Sequence, residues 1–136
     1  MSGNKTINYA SDRKYSESHE WVKMEGDLAV IGISDYAQDA LGDVVFVELP
    51  KVGATLAAGA QLGVIESVKA ASDIFTPISG TVAAVNENLS TAPETLNQDS
   101  LNAGWIAKLK PSNPAEMNKL MDAATYQKKI EAGEIH

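Results

Sequence analysis

The chain has 136 residues, 44% of them hydrophobic and 6% aromatic, which is enough to bury one core and points to one domain. With 18 acidic against 11 basic residues and a formal charge of −7, it lacks the basic balance that phosphate binding needs, and nucleic acid is set aside as a partner. Cysteine is absent, so disulfides, thiolate nucleophiles and thiolate metal sites are excluded together, and any redox sulfur has to be brought in.

Residues 1–13 carry few apolar groups and are expected to form a flexible tail ahead of a single domain over 14–136. The opening Met1-Ser2-Gly3-Asn4-Lys5-Thr6 has no hydrophobic signal core, and no run approaches the roughly 20 apolar residues that span a bilayer, so a soluble, cytoplasmic chain without membrane contact is expected. Residues 21–24 and 28–32 read as strands joined by a hairpin turn at Glu25-Gly26-Asp27. Ser34 or Asp35 can cap a short helix over 36–41, stopped by Gly42. Residues 44–49 return to strand. Pro50-Lys51-Val52-Gly53 and Ala58-Gly59 punctuate the next stretch, and Leu62-Gly63-Val64-Ile65 leads into a further turn. Residues 81–85 form another strand, and 86–100 read as a polar loop. At the C-terminal end, Asn113 with Pro114 and Glu116 has the spacing of a capping box, and Asp122 can cap a second helix that ends before Gly133.

Between the strands lies Glu66-Ser67-Val68-Lys69-Ala70-Ala71-Ser72-Asp73. The approach, residues 63–68, and the exit, residues 72–80, are rich in β-branched and aromatic residues, so Lys69 falls at the bend between two strands. An unmodified ε-amine has a pKa of about 10.4, so roughly one in 2,500 is neutral at pH 7 and little chemistry follows without modification. Acylation would turn the solvated cation into an uncharged tether.

Other chemistry finds little support. The two histidines are His19 and the terminal His136, and His19-Glu20-Trp21 lacks the second histidine of a zinc-protease helix, so no metal site is expected. There is no Gly-x-x-x-x-Gly-Lys phosphate loop and no Gly-x-Ser-x-Gly elbow. No catalytic residue is assigned, and the chain does not read as an enzyme. From residue 24 to residue 50 there are six acids, Glu25, Asp27, Asp35, Asp39, Asp43 and Glu48, without a Lys or Arg among them. That stretch is a candidate docking patch for basic surfaces.

Glu66-Ser67-Val68-Lys69-Ala70, followed by Ser72-Asp73 and Pro77-Ile78-Ser79-Gly80, resembles the lipoyl-attachment hairpin of the glycine cleavage system H proteins. The resemblance continues upstream in His19-Glu20-Trp21-Val22, Gly32-Ile33-Ser34-Asp35-Tyr36-Ala37-Gln38 and Leu41-Gly42-Asp43-Val44-Val45-Phe46-Val47-Glu48-Leu49-Pro50. Downstream it includes Gly104-Trp105-Ile106 and Lys108-Leu109-Lys110-Pro111, so that it covers residues 15 to 126. It implies a β-rich (α+β) barrel-sandwich hybrid of the lipoyl and biotinyl type, with short helices and a C-terminal helical segment. It also implies a non-catalytic carrier with lipoate joined by an amide to Lys69. In that family the arm takes the aminomethyl group of glycine from a pyridoxal-phosphate glycine decarboxylase to a tetrahydrofolate-dependent aminomethyltransferase. Dihydrolipoyl dehydrogenase then reoxidises it.

By position, the resemblance assigns Glu66 and Gly80 to recognition by the lipoylating enzymes, and Ser18, Glu20 and Asp73 to the cleft where the loaded arm rests. A monomer is expected, cytoplasmic, or mitochondrial in a eukaryotic source. Two departures stand out. Ala40 occupies a position where some members have histidine, and Ser100-Leu101 replaces a Pro-Tyr pair before Gly104-Trp105. A biotinyl carrier would flank its lysine with methionines, where Val68 and Ala70 stand here. A lipoyl carrier of the same shape can also serve 2-oxo acid dehydrogenases or sulfur oxidation.

Overall fold

The computed structural model describes residues 6–135. Residues 1–5 of the expected tail, and His136, lie outside the described residues. Tyr9 and Ala10 pack against a buried aromatic cluster, and Arg13 is buried, its guanidinium 4.5 Å from the centroid of the Trp21 ring.

Among the described residues, nine strands form two open antiparallel sheets. β1 (Lys14–Tyr15), β2 (Glu20–Glu25), β3 (Leu28–Ile33), β9 (Ala107–Pro111), β8 (Gly80–Val85) and β5 (Thr55–Leu56) follow one another across the larger sheet. β4 (Val44–Glu48), β6 (Gln61–Ser67) and β7 (Ala71–Phe75) make the smaller one. This is the β-rich two-sheet sandwich that the sequence resemblance implies. The β2–β3 turn is the expected one, two residues long with Gly26 at φ 62, the positive value its first central position needs.

Alternation along the strands decides what enters the core. In β6, Leu62, Ile65 and Ser67 are buried while Glu66 is exposed. In β7, Ile74 is buried between exposed Asp73 and Phe75. Val22, Ile31, Ile33, Val47, Ile65, Ile74, Ile78, Val82 and Leu109 meet between the sheets. A second cluster, with Tyr15, Trp21, Val30 and Tyr126, fills the other side of the larger sheet.

α1 (Asp35–Leu41) is capped by Ser34, whose hydroxyl accepts from the Ala37 N–H at 3.1 Å, and Gly42 ends it at φ 78. Asp122 caps α4 (Ala123–Glu131) in the same way, accepting from the Thr125 N–H at 2.8 Å.

Two expectations fail. The supposed polar loop over 86–100 contains α2 (Asn88–Thr91) and α3 (Thr95–Asp99), because Leu89 and Leu96 are fully buried and anchor one short helix each. The capping box at Asn113 does not form. Pro114–Lys119 is a 3₁₀ helix without a side-chain cap, and Glu116 turns away to accept from the Ser79 N–H (2.7 Å) and hydroxyl (2.8 Å). Two donors across the fold outcompete one at Asn113, and they hold the Glu116 carboxyl below its ordinary pKa. Among the described residues, no helix is long and apolar enough to cross a membrane.

Candidate functional site

Lys69 stands exposed in the turn between β6 and β7. The last ladder pair is Glu66 with Ala71, after which the Ser67 N–H donates to the Ala70 carbonyl at 2.7 Å. The Ser67 hydroxyl accepts from the Ala70 N–H at 3.2 Å, which leaves Val68 and Lys69 at the tip.

The tip is tied down from outside its own strands. The Val68 N–H donates to the Asp43 carbonyl at 3.0 Å, and Asn97 of α3 grips the residues on either side of Asp43. Its amide donates to the Gly42 carbonyl (2.8 Å), and its oxygen accepts from the Val44 N–H (2.9 Å). The Lys69 stem passes over Gly42, where an added Cβ would stand 3.4 Å from Lys69 Cε. The backbone beneath the amine is therefore fixed while the side chain is exposed. Asn97 was missed from sequence, since an isolated asparagine in a polar stretch carries no signal of a partner 53 residues away.

A groove of about 200 Å³ lies between α1 and β7. Ile33, Ala37, Ala40, Leu41 and Ile74 give it an apolar floor, and Ser18, His19, Tyr36 and Ser72 supply its polar groups. Ala40, where some relatives of the resembled family carry histidine, keeps one wall apolar. Gly42 places the Lys69 stem beside the C-terminal end of α1, which forms that wall.

Of the three residues assigned to a loaded-arm cleft, Ser18 lines the groove. Glu20 is 1% exposed. One of its carboxylate oxygens accepts from the Ser16 and Ser18 hydroxyls, and the other from the Phe75 N–H at 3.1 Å, joining the start of β2 to the end of β7. Burial pushes its pKa up, and the hydroxyl and N–H donors oppose the rise. Asp73 is exposed. It alternates with Ser72 and Ile74, which line the groove, so its side chain leaves the opposite face of β7 and meets Gln61 at 3.4 Å.

Glu66 is exposed on that same outer face, paired across the strands with Phe46 and Ala71. Gly80 is buried at the start of β8, where a Cβ would come within 2.4 Å of the Lys110 carbonyl oxygen of β9. The acids of the acid-only stretch sit on several elements. Glu25 pairs with Lys108 at 3.3 Å, Asp35 accepts from the Asn8 N–H and the Gln38 amide, and Glu48 lies on the small sheet. Among the described residues, no group of three or more His, Asp or Glu is placed to hold a metal.

A family model described as glycine cleavage H-protein matches residues 13–133. The chain is 57% identical to glycine cleavage system H protein 2 of Pseudomonas aeruginosa over 126 residues, covering 92% of this chain and 97% of that protein. It is 56% identical to the glycine cleavage system H protein of Chromobacterium violaceum over 126 residues, 92% of this chain and 98% of the relative. A crystal structure of a glycine cleavage system H protein from Mycobacterium marinum superposes with a TM-score of 0.83 at 36% identity, covering 90% of this chain and 98% of that one.

Proposed function

The chain belongs to the glycine cleavage H-protein family, whose members are non-catalytic lipoyl carriers, and from that premise we propose that Lys69 bears the lipoyl group and shuttles aminomethyl cargo between enzymes. The observation that carries the reading is a single exposed lysine at a pinned strand turn, its stem laid beside an apolar groove. The residues fit the group: Ile33, Ala37, Leu41 and Ile74 suit an acyl chain, and Ser18 and His19 supply polar contacts for its far end. Bound as an amide on Lys69, lipoate would supply a redox-active disulfide, the sulfur chemistry needed to carry an aminomethyl group between glycine decarboxylase and aminomethyltransferase and to be restored by dihydrolipoyl dehydrogenase.

Everything else falls to the chain itself. The Asp43 carbonyl and Asn97 hold the pivot, so the arm explores a limited volume around a fixed point, and tethering raises its effective concentration at each partner into roughly the millimolar range. The α1–β7 groove is the resting place. Ser18 stands at its polar side with Glu20 behind it as a buried acceptor, and Asp73 contributes negative charge on the far side of β7. Glu66 and Gly80 are proposed to guide the lipoylating enzymes, Glu66 by its exposed carboxylate and Gly80 by the close approach of strands that it permits. The bacterial relatives support a cytoplasmic carrier.

The test is Lys69→Arg, which keeps the charge and removes the acylatable amine. Intact-mass analysis of protein from lipoate-fed cells is expected to show one lipoyl increment in the parent and none in the variant, with the melting temperature unchanged. A lipoyl group on another lysine would overturn the assignment.

A further inference from the structure

His19 adopts φ 79, a left-handed conformation uncommon outside glycine. Its ring packs against Tyr126, and His19 is one of the residues that line the groove. Nδ1 lies 2.8 Å from the Tyr126 hydroxyl, which itself lies 2.6 Å from the Ser34 hydroxyl. The ring also packs against Tyr36, with centroids 5.2 Å apart. Nε2, on the opposite edge, is buried and has no hydrogen-bond partner among the described residues, while His19 itself lines the groove.

Counting hydrogens along this chain orients it. The Ser34 oxygen already accepts from the Ala37 N–H as the cap of α1, and its own hydrogen has one acceptor within reach among the described residues, the Tyr126 oxygen. The Tyr126 hydrogen then goes to Nδ1 of His19, and a neutral imidazole that accepts at Nδ1 carries its hydrogen at Nε2. A buried N–H without a partner is costly, so an acceptor that reaches it gains by meeting it.

We propose that His19 is a binding residue of the arm groove, its Nε2–H donating to sulfur at the end of the arm, with Tyr126 and Ser34 as positioning residues that fix the tautomer. The proposal rests on the reading of Lys69 as the arm-bearing lysine. It gives α4 a part in the site, because Tyr126, stacked on Tyr15 at 4.5 Å, sets the donor that the arm meets. An apolar chain ending in a soft acceptor matches a groove with an apolar floor and a buried donor that has no partner among the described residues. A plain acyl chain does not.

The test is nitrogen and proton NMR on three forms of the full chain: unmodified, octanoylated on Lys69 and lipoylated on Lys69. The octanoyl arm lacks sulfur. With only two histidines in the sequence, the His19 signals are assigned by their loss in His19→Asn, a residue that tolerates the left-handed backbone. The expected result is the Nε2–H tautomer in the unmodified protein, its bias lost in Tyr126→Phe, and a shift of the Nε2 signal on lipoylation that octanoylation does not reproduce. In His19→Asn, contacts of the lipoyl arm with the Ala37 and Ala40 methyls should weaken about twofold, as fits a weak sulfur hydrogen bond. An Nδ1–H tautomer, or equal Nε2 shifts with both arms, would overturn the proposal while leaving the groove assignment standing. If neither arm moves the Ala37 and Ala40 methyls, the groove is not the resting place, and the assignment and the proposal fall together.

Discussion

Gly80→Ala separates two accounts of a glycine that sequence resemblance ties to lipoylation. Gly80 pairs with Leu56 on one side and Pro111 on the other, and a Cβ there would meet the Lys110 carbonyl oxygen at 2.4 Å, its carbon at 3.0 Å and Pro111 Cα at 3.2 Å. All three are backbone atoms. They cannot swing aside as a side chain would, and β9 is held by β3 on its other edge. Overpacking a core costs about 1–3 kcal/mol, and an obstacle made of pinned backbone places this case near the top, at about 2–3 kcal/mol. For a chain of 136 residues, each kcal/mol moves the melting temperature by about 3–5 °C, so a fall of about 6–15 °C is expected. The assay is a thermal melt of purified parent and variant, with intact mass used to measure lipoylation of the folded fraction below the transition. If Gly80 acts by permitting strand approach, stability falls and any loss of lipoylation accompanies it. A variant that melts with the parent yet is not lipoylated would refute the reasoning and make Gly80 a direct recognition point.

Two further outcomes are expected. The folded-state pKa of Glu20 is raised by burial, so its contribution to stability is complete below its unfolded value near 4.5 and is lost as pH rises through the folded value. Urea titrations should therefore show the stability of the parent falling relative to Glu20→Gln across that rise, and parallel curves would contradict it. Asp39→Asn with Asp43→Asn should slow aminomethyl transfer from glycine decarboxylase and flatten its salt dependence, with backbone contacts intact. Equal rates and salt slopes would remove those two acids from docking.

What was readable in the sequence is what is local. The β2–β3 turn, the caps at Ser34 and Asp122 and the stop at Gly42 depend on residues within a few positions of one another, and each is found as expected. The misreadings involve partners far along the chain. Glu116 has the spacing of a capping box, yet its carboxylate meets Ser79, 37 residues away. Asn97 resembled any loop asparagine and instead bridges Gly42 and Val44. The acid-only stretch is carried by the β2–β3 turn, α1 and the small sheet, an arrangement that its sequence alone does not give.

Glu20 shows the same limit at the site itself. Its place beside Ser18 was legible, but not its burial or its bond to the Phe75 N–H, which depend on β7 closing over the start of β2. A carboxylate held by two hydroxyls and an N–H is a poor free counter-ion for a mobile ammonium, because its lone pairs are already directed at fixed donors. It is better suited to hold Ser18 and the end of β7 in place, and thereby the polar side of the groove. The same division appears at Lys69, where hydrogen bonds fix the backbone of the tip and leave the amine exposed. A rigid pivot with a free end confines the arm to a small volume without holding its terminus. Effective concentration depends on that confinement. Loosening the Asp43–Val68 contact would therefore weaken delivery even with every lipoyl group in place.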